Sequence, residues 1–164
     1  ILMLAMMVPF VAVLVPLFQM FTKAKLINSW TGFILPSIAT PFLIMYFRNS
    51  ARSFPRDTLE AARIDGLNEF QIFIRMFIPM MKPTYASAAT ITFMGAWNAY
   101  LWPKVVMQTN EAITMPMLVA NTMGGYVIDY GVVMAAVTIC SLPTVIIFFC
   151  LQKSFTNAVA GAVK

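Results

Sequence analysis

Residues 54–83 read FPRDTLEAARIDGLNEFQIFIRMFIPMMKP and form a charged island in an otherwise apolar chain. The island holds four of the six acidic residues, which are Asp57, Glu60, Asp65 and Glu69. It also holds four of the eleven basic residues, which are Arg56, Arg63, Arg75 and Lys82. A chain that gathers its charge into one segment of this length is expected to use it as a docking surface. An ordinary solvated loop is the alternative.

The composition around the island indicates a membrane protein. The chain has 164 residues, of which 60% are hydrophobic and 10% charged, whereas soluble domains are about 25% charged. Histidine is absent and only Cys140 and Cys150 could supply thiols. In one helix these two cysteines would lie about 15 Å apart, too far for a disulfide bridge. Because histidine is absent and cysteine is rare, we expect no metal site.

Four windows without Asp, Glu, Lys or Arg are each 21 to 23 residues long, which is the length that a membrane-spanning helix needs. They are residues 1–22, 26–47, 83–103 and 130–152. The predicted fold class is an all-α integral membrane protein, a polytopic helical bundle in a single domain over residues 1–164. The start at Ile1, without a charged leader, is read as a C-terminal fragment cut inside or just before a span.

The basic residues are distributed unevenly between the two sides of such a bundle. One side would carry Arg48, Arg52, Arg56, Arg63, Arg75, Lys82, Lys153 and Lys164, and the other side Lys23, Lys25 and Lys104. The side with eight basic residues is expected to face the cytoplasm and the side with three to face outward. This places the loop 48–82 and the C-terminus in the cytoplasm and the loops 23–30 and 104–129 outside. This bias also accounts for the net charge of +5 without invoking nucleic acid.

The island is predicted to be two helices around a glycine corner. Asp57 and Glu60 suit the first turns of a helix that starts near Pro55, and Gly66 is a typical helix stop. Asn68 is then a candidate N-cap, with Gln71 completing a capping box. The second helix is predicted to run to about Ile78.

The two predicted helices differ in character. The second has an apolar face at helical spacing, expected to pack under the bundle or at the membrane interface; its residues are Phe70, Phe73, Ile74 and Phe77. In the first helix, Ala61 and Ala62 would keep the surface low enough for a partner backbone to approach, between the charges of Glu60, Arg63 and Asp65.

These residues resemble the cytoplasmic signature E-A-A-x-x-x-G-x₉-I-x-L-P of permease subunits of binding-protein-dependent ABC importers. The matching positions are Glu60, Ala61, Ala62, Gly66 and Pro79, with Met76 and Ile78 as conservative departures. The resemblance covers the whole chain and is greatest to the maltose-G type of carbohydrate permease. It includes the segments Leu26–Ser29, Leu35-Pro36, Trp97-Asn98, Leu101–Pro103, Thr114–Pro116, Asp129–Gly131 and Ala160–Lys164. Lys25 stands in place of a usual Gly, and Ala99 in place of a frequent acid.

The resemblance implies a function for the island. Glu60, Ala61, Ala62, Arg63, Asp65, Gly66 and Pro79 would form the ATPase-coupling region, seated in a cleft of a dimer of cytoplasmic ATP-binding subunits. The chain has no G-x-x-x-x-G-K-[ST] phosphate loop, so it is expected to be a translocation subunit and not an enzyme. ATP and Mg²⁺ would be bound by the partner ATPase, with no cofactor in this chain.

Further partners are implied by the same resemblance. They are a second related permease subunit, an external solute-binding protein facing the loop 104–129, and the lipid bilayer of the bacterial inner membrane. About two further spans would precede this chain. Solute, most naturally a carbohydrate, would cross by alternating access.

The aromatic side chain of Trp97 and the amide side chain of Asn98 are candidates for sugar binding. Their neighbours Tyr100 and Trp102 fit an interfacial aromatic belt better.

Three functions are alternatives to carbohydrate import. They are import of another small solute such as a glycerol phosphate ester, a non-transport membrane scaffold, and an intramembrane enzyme. The enzyme is disfavoured because the four windows contain no acid and no histidine.

Overall fold

The computed structural model describes residues 2–109, 113–125 and 128–161, without side chains beyond residue 150. Within these ranges the chain is helical and contains no β-strand, as the sequence predicts. The helices are α1 (Leu2–Met7), α2 (Phe10–Lys23), α3 (Trp30–Ile34), α4 (Pro41–Arg52), α5 (Arg56–Ile64), α6 (Glu69–Ile72), α7 (Ile78–Met80), α8 (Lys82–Trp97), α9 (Leu101–Val106), α10 (Met115–Thr122) and α11 (Tyr130–Gly161). A 3₁₀ turn (Leu35–Ser37) follows α3, and a π-helical turn (Phe73–Phe77) joins α6 to α7.

Three of the four apolar windows are each divided between two α-helices, with a proline at or near each break. Pro9 lies in extended conformation between α1 and α2, and Thr40 is likewise extended before Pro41. The residue before a proline is disfavoured in the helical region, which explains the break at Thr40. A helix continuing from α8 into α9 would press the ring of Pro103 against the carbonyl group of Ala99. The windows therefore fold as helix pairs.

Among the described residues, one helix is long and apolar enough to cross a membrane by itself, and it covers Tyr130–Cys150. The pair Trp30–Ser37 and Pro41–Arg52 meets the same criterion if it counts as one span bent by 44°. Four crossings stay a prediction.

The longest helices form one pair. α8 packs along α11, which also contacts α10, while α4 contacts both α8 and α1. The buried residues of α8 are small, namely Ser87, Ala88 and Thr90. Small side chains let helix backbones approach closely, which is how helices associate in lipid.

The hydrophobic core lies at the other end of α8, around α9. Phe21, Trp102, Val106 and Met107 are buried together there. The rings of Trp102 and Phe21 meet edge to face with their centroids 5.2 Å apart, and the Trp102 indole N–H donates to the Gly32 carbonyl over 3.2 Å. Trp102 is only 8% exposed. Its placement in an interfacial aromatic belt was therefore wrong, because the packing of α9 on α2 and α3 encloses the ring.

The loop between α2 and α3 holds α9 in place. The Asn28 N–H donates to the Val106 carbonyl over 2.8 Å, and the Asn28 side chain accepts from the N–H of Gln108. Lys25 and Asn28 both have left-handed backbone conformations, with φ of 55° and 56°. The left-handed conformation explains why a glycine would be favoured at position 25.

Candidate functional site

The first helix of the charged island, α5, begins directly after Pro55, whose backbone is extended (φ −62°, ψ 120°). Asp57 lies in its first turn and Arg63 in its last turn. These charges oppose the partial charges of the helix ends, positive at the start and negative at the end, and so stabilise both ends. The predicted first helix is confirmed.

The corner after α5 is a Schellman motif built on Gly66. The N–H groups of Leu67 and Gly66 each donate over 3.1 Å, to the carbonyl groups of Ala62 and Arg63 respectively. Gly66 has a φ of 80°, a left-handed conformation that glycine adopts without steric cost. A Cβ atom built on Gly66 would have no atom of the described residues within 4 Å. Its backbone conformation, and not a close neighbour in the described part of the chain, therefore favours glycine here.

The second helix begins with the predicted capping box. The Gln71 N–H donates to the Asn68 side chain over 2.9 Å, and the Asn68 N–H donates to the Gln71 side chain over 3.0 Å. Two of the N–H groups that a helix start leaves without partners are satisfied in this way. The chain then passes through the π-helical turn Phe73–Phe77 and α7 before a bend at Met81.

A salt bridge joins the two helices across the corner. The Arg63 Nε atom donates to Glu69 Oε1 over 2.9 Å, and both side chains are largely exposed. The hydrogen bond to Glu69 and the charge of Glu69 hold the pKa of Arg63 above its ordinary value, with a smaller electrostatic contribution from Glu60. Sequence reasoning did not foresee this pair, although opposite charges three residues before and after a corner glycine were a usable signal.

The corner presents most of its predicted coupling residues to the outside. Glu60, Ala61, Arg63, Asp65 and Gly66 are exposed. Pro79 is also exposed, but it lies in α7, beyond the π-helical turn.

Two neighbours of these residues differ from expectation. Ala62 is only 2% exposed, so its small side chain serves packing inside the chain and not the approach of a partner. Ile64 is 86% exposed and adds an apolar side chain to the corner that sequence reasoning missed.

The apolar face predicted for the second helix is not buried as a unit. Phe70 is 71% exposed, Phe73 and Ile74 are nearly half exposed, and Ile72 is the buried residue. Phe77 packs against Phe54, with ring centroids 5.2 Å apart. The i→i+5 bonding of the π-helical turn departs from the 3.6-residue period from Phe73 onward. A location of the exposed side chains at the membrane interface stays a prediction.

Each of the two candidate sugar-binding residues donates one side-chain hydrogen bond within the chain. The Trp97 indole N–H donates to the Cys140 carbonyl over 2.9 Å, and the Asn98 side-chain amide donates to the Met94 carbonyl over 2.9 Å. The Trp97 ring also stacks on Phe93. Tyr100 accepts from Lys104 Nζ over 2.6 Å. A sugar-binding role for Trp97 and Asn98 stays a prediction.

The segment 104–129 contains more structure than a connecting loop. It includes the end of α9, the whole of α10 and, at its end, Asp129, whose carboxylate accepts from the N–H groups of Gly131 and Val132 at the start of α11. Residues 110–112 and 126–127 lie outside the described residues. The tail residues Ala162–Lys164 and the side chains of Lys153 and Ala160 also lie outside the described part of the chain.

The described residues contain no group of three or more His, Cys, Asp or Glu side chains that could hold a metal ion. Cys140 and Cys150 are unbridged. Their separation along the single helix α11 accounts for this, as the sequence predicts.

Comparisons with known proteins give a consistent result. Residues 1–161 match the family model described as "Binding-protein-dependent transport system inner membrane component". The chain is 41% identical over its whole length to the lactose transport system permease protein LacG of Rhizobium radiobacter, of which it covers 60%. It is 37% identical over 97% of its length to the arabinooligosaccharides transport system permease protein AraQ of Bacillus subtilis (strain 168), of which it covers 57%.

A solved structure shows the same fold. It is a chain of a bacterial ABC transporter involved in the import of the acidic polysaccharide alginate, matched with a TM-score of 0.75 and 25% identity. The match covers 85% of this chain and 55% of that one. The chain therefore spans a little more than half the length of the relatives it matches.

Proposed function

The chain belongs to the family of binding-protein-dependent transport system inner membrane components, and from that premise we propose that it is part of the permease of an ATP-driven ABC importer. The proposed solute is a carbohydrate. In support, relatives at 41% and 37% identity are named for the transport of lactose and of arabinooligosaccharides. The chain would lie in the inner membrane with the island facing the cytoplasm.

The corner around Gly66 is the observation that carries the proposed mechanism. It combines an exposed Ile64, exposed charges at Glu60 and Asp65, and a backbone held by the Schellman bonds, the capping box and the Arg63–Glu69 salt bridge. A preorganised knob of this kind loses little conformational entropy when it enters a cleft. We assign that cleft to a dimer of ATP-binding subunits.

Movement of the corner has a direct route into the helical bundle. α5 contacts α6, α7 contacts α8, and α8 packs along α11. The contact between Phe54 and Phe77 fixes the start of the island to its end. Closure of the ATP-binding subunits would therefore displace α8 and α11 together as packed bodies and change access to the transport path.

The remaining partners follow from the same proposal. These 164 residues contain no phosphate-binding loop, so ATP and Mg²⁺ are assigned to the separate ATP-binding subunits. A second related permease would complete the membrane domain. The segment 104–129, on the side opposite the island, would face the solute-binding protein.

Photo-cross-linking from the corner tests this proposal. A photoreactive residue replaces Ile64 in the full transporter, and a matched control replaces Ile139 on α11, where the side chain is 56% exposed. We expect a cross-link to the ATP-binding subunit from position 64, weakened or strengthened by ATP, and none from position 139. An assembled transporter that gives no such cross-link from position 64 would contradict the proposal.

A further inference from the structure

A second feature lies where α4 and α8 enter the island. α4 contributes Phe47, Arg48 and Ala51, and the chain around α8 contributes Phe77, Met81 and Tyr85, to an open cavity of about 410 Å³. This volume is within the range of ligand pockets, about 300–1,000 Å³. None of the six residues belongs to the corner around Gly66.

The walls of the cavity are apolar and fixed by ring packing. The rings of Phe47 and Tyr85 pack with centroids 5.3 Å apart, joining α4 to α8. The ring of Phe77 lies between the rings of Phe54 and Phe73, with centroid distances of 5.2 and 5.6 Å respectively. Met81 is only 5% exposed and closes the floor. Such a surface suits a hydrocarbon chain.

One charge stands in this apolar cavity, that of Arg48. Within the part of the chain that the structure describes, the salt bridge between Arg63 and Glu69 is the sole ion pair within 4 Å, so no described carboxylate neutralises Arg48. A guanidinium presents five N–H donors in a planar fork that fits the oxygens of a phosphate group. The cavity thus combines an anion-binding group with an apolar wall.

We propose that this cavity binds an anionic phospholipid, with the phosphate on Arg48 and the glycerol and first acyl segment against Phe47, Phe77 and Tyr85. The inference rests on the proposed membrane location of the chain, since α4 and α8 leave the bilayer at this point. Phospholipid is the species there that carries a phosphate and an apolar chain together, and the charge of Arg48, which no described carboxylate neutralises, favours a lipid with net negative charge. Basic pockets between helices on the cytoplasmic side are known sites for such lipids. A bound lipid would brace α4 against α8 beside the corner.

Native mass spectrometry of the purified full transporter tests this, after exchange into nanodiscs of phosphatidylcholine with a minority of phosphatidylglycerol. We compare Arg48→Gln with Arg52→Gln, which removes an exposed arginine one turn further along α4 and outside the cavity. General attraction to an anionic surface is worth roughly fivefold per basic residue and would affect both variants equally. The proposal expects retained phosphatidylglycerol to fall well beyond fivefold in Arg48→Gln alone, and an equal loss in both variants would overturn it.

Two further variants protect the test against loss of assembly and against a free anion as ligand. Arg48→Lys keeps the charge but loses the guanidinium fork, so it is expected to retain more lipid than Arg48→Gln. Ala51→Trp fills the cavity without changing charge and is expected to lose the lipid. Retention by Ala51→Trp, or displacement of the lipid by excess inorganic phosphate, would overturn the proposal. Because lipid retention is read without sugar or ATP, its failure is distinguishable from failure of the proposed transport function.

Discussion

Trp97 donates its indole N–H to the backbone carbonyl of Cys140 over 2.9 Å and so ties the end of α8 to the middle of α11. α11 contains Pro143, which lacks an N–H and leaves the carbonyl of Ile139, one turn earlier, without its usual helical donor. The indole therefore bonds α11 in the turn that the proline weakens. This relationship gives Trp97 a structural role that its place in an aromatic segment did not indicate.

Replacing Trp97 by Phe removes that hydrogen bond while keeping the ring stacked on Phe93. We expect a loss of stability of about 0.5–1 kcal/mol, as for other hydrogen bonds between membrane helices. The half-saturating sugar concentration for uptake should stay within about twofold. If Trp97 bound sugar through its N–H instead, loss of that bond would raise this concentration by up to about tenfold, which would contradict the structural role.

Gly32 is required for the close approach of α3 to the preceding loop. A Cβ atom at this position would collide with the carbonyl oxygen of Leu26, and that collision involves backbone that cannot move aside cheaply. Gly32→Ala should destabilise the protein by about 1–3 kcal/mol, measured as a lower melting temperature of the purified transporter.

Gly95→Ala is the matched control, because Gly95 lies inside α8 and a Cβ there meets no atom within 4 Å in the part of the chain that the structure describes. Gly95→Ala should raise the free energy of unfolding by about 0.5–1 kcal/mol, because alanine reduces the backbone freedom of the unfolded chain. Equal effects of the two substitutions would show that the approach at Gly32 is not tight.

Lys25 has a φ of 55°, and a non-glycine residue in this left-handed region costs about 1–2 kcal/mol. Lys25→Gly should therefore raise the melting temperature by a few degrees. Lys23 is the last residue of α2, and glycine does not stabilise a helical position. Lys23→Gly should therefore leave the melting temperature unchanged or lower it. A lower melting temperature for Lys25→Gly would mean that the Lys25 side chain contributes more than its strained backbone costs.

The features that the sequence predicted correctly are local ones. Gly66 and the Asn68/Gln71 box depend on residues within a few positions of one another, and both formed as expected. The burial of Ala62 and Trp102 depends on which elements pack together. It was predicted wrongly because the residues near each position in the sequence do not show which distant element will cover it.

The breaks inside the apolar windows were predictable only in part. Pro9, Pro41 and Pro103 were visible in the sequence, but prolines are tolerated within membrane helices. The sequence alone therefore did not show which of them would end a helix. The π-helical turn Phe73–Phe77 had no sequence signal that we recognise.

The central claim is that the corner around Gly66 couples the membrane helices to an ATP-binding partner. Among the described residues, no atom lies within 4 Å of a Cβ built on Gly66, so a side chain added there starts in open space, where the proposed partner would dock. Backbone strain is separable from docking, because Asp tolerates the left-handed conformation better than Ala does. Strain alone would make Gly66→Ala the worse variant, whereas a docked partner makes Gly66→Asp the worse one.

The most direct measurement is solute uptake by the full transporter carrying Gly66→Asp, compared with Gly66→Ala, at matched levels in the membrane. We expect uptake by Gly66→Asp to fall at least roughly tenfold, a loss of coupling within the usual range, while membrane insertion is unchanged and Gly66→Ala retains most of its activity. Full uptake by Gly66→Asp with the ATP-binding subunits still attached would contradict the account.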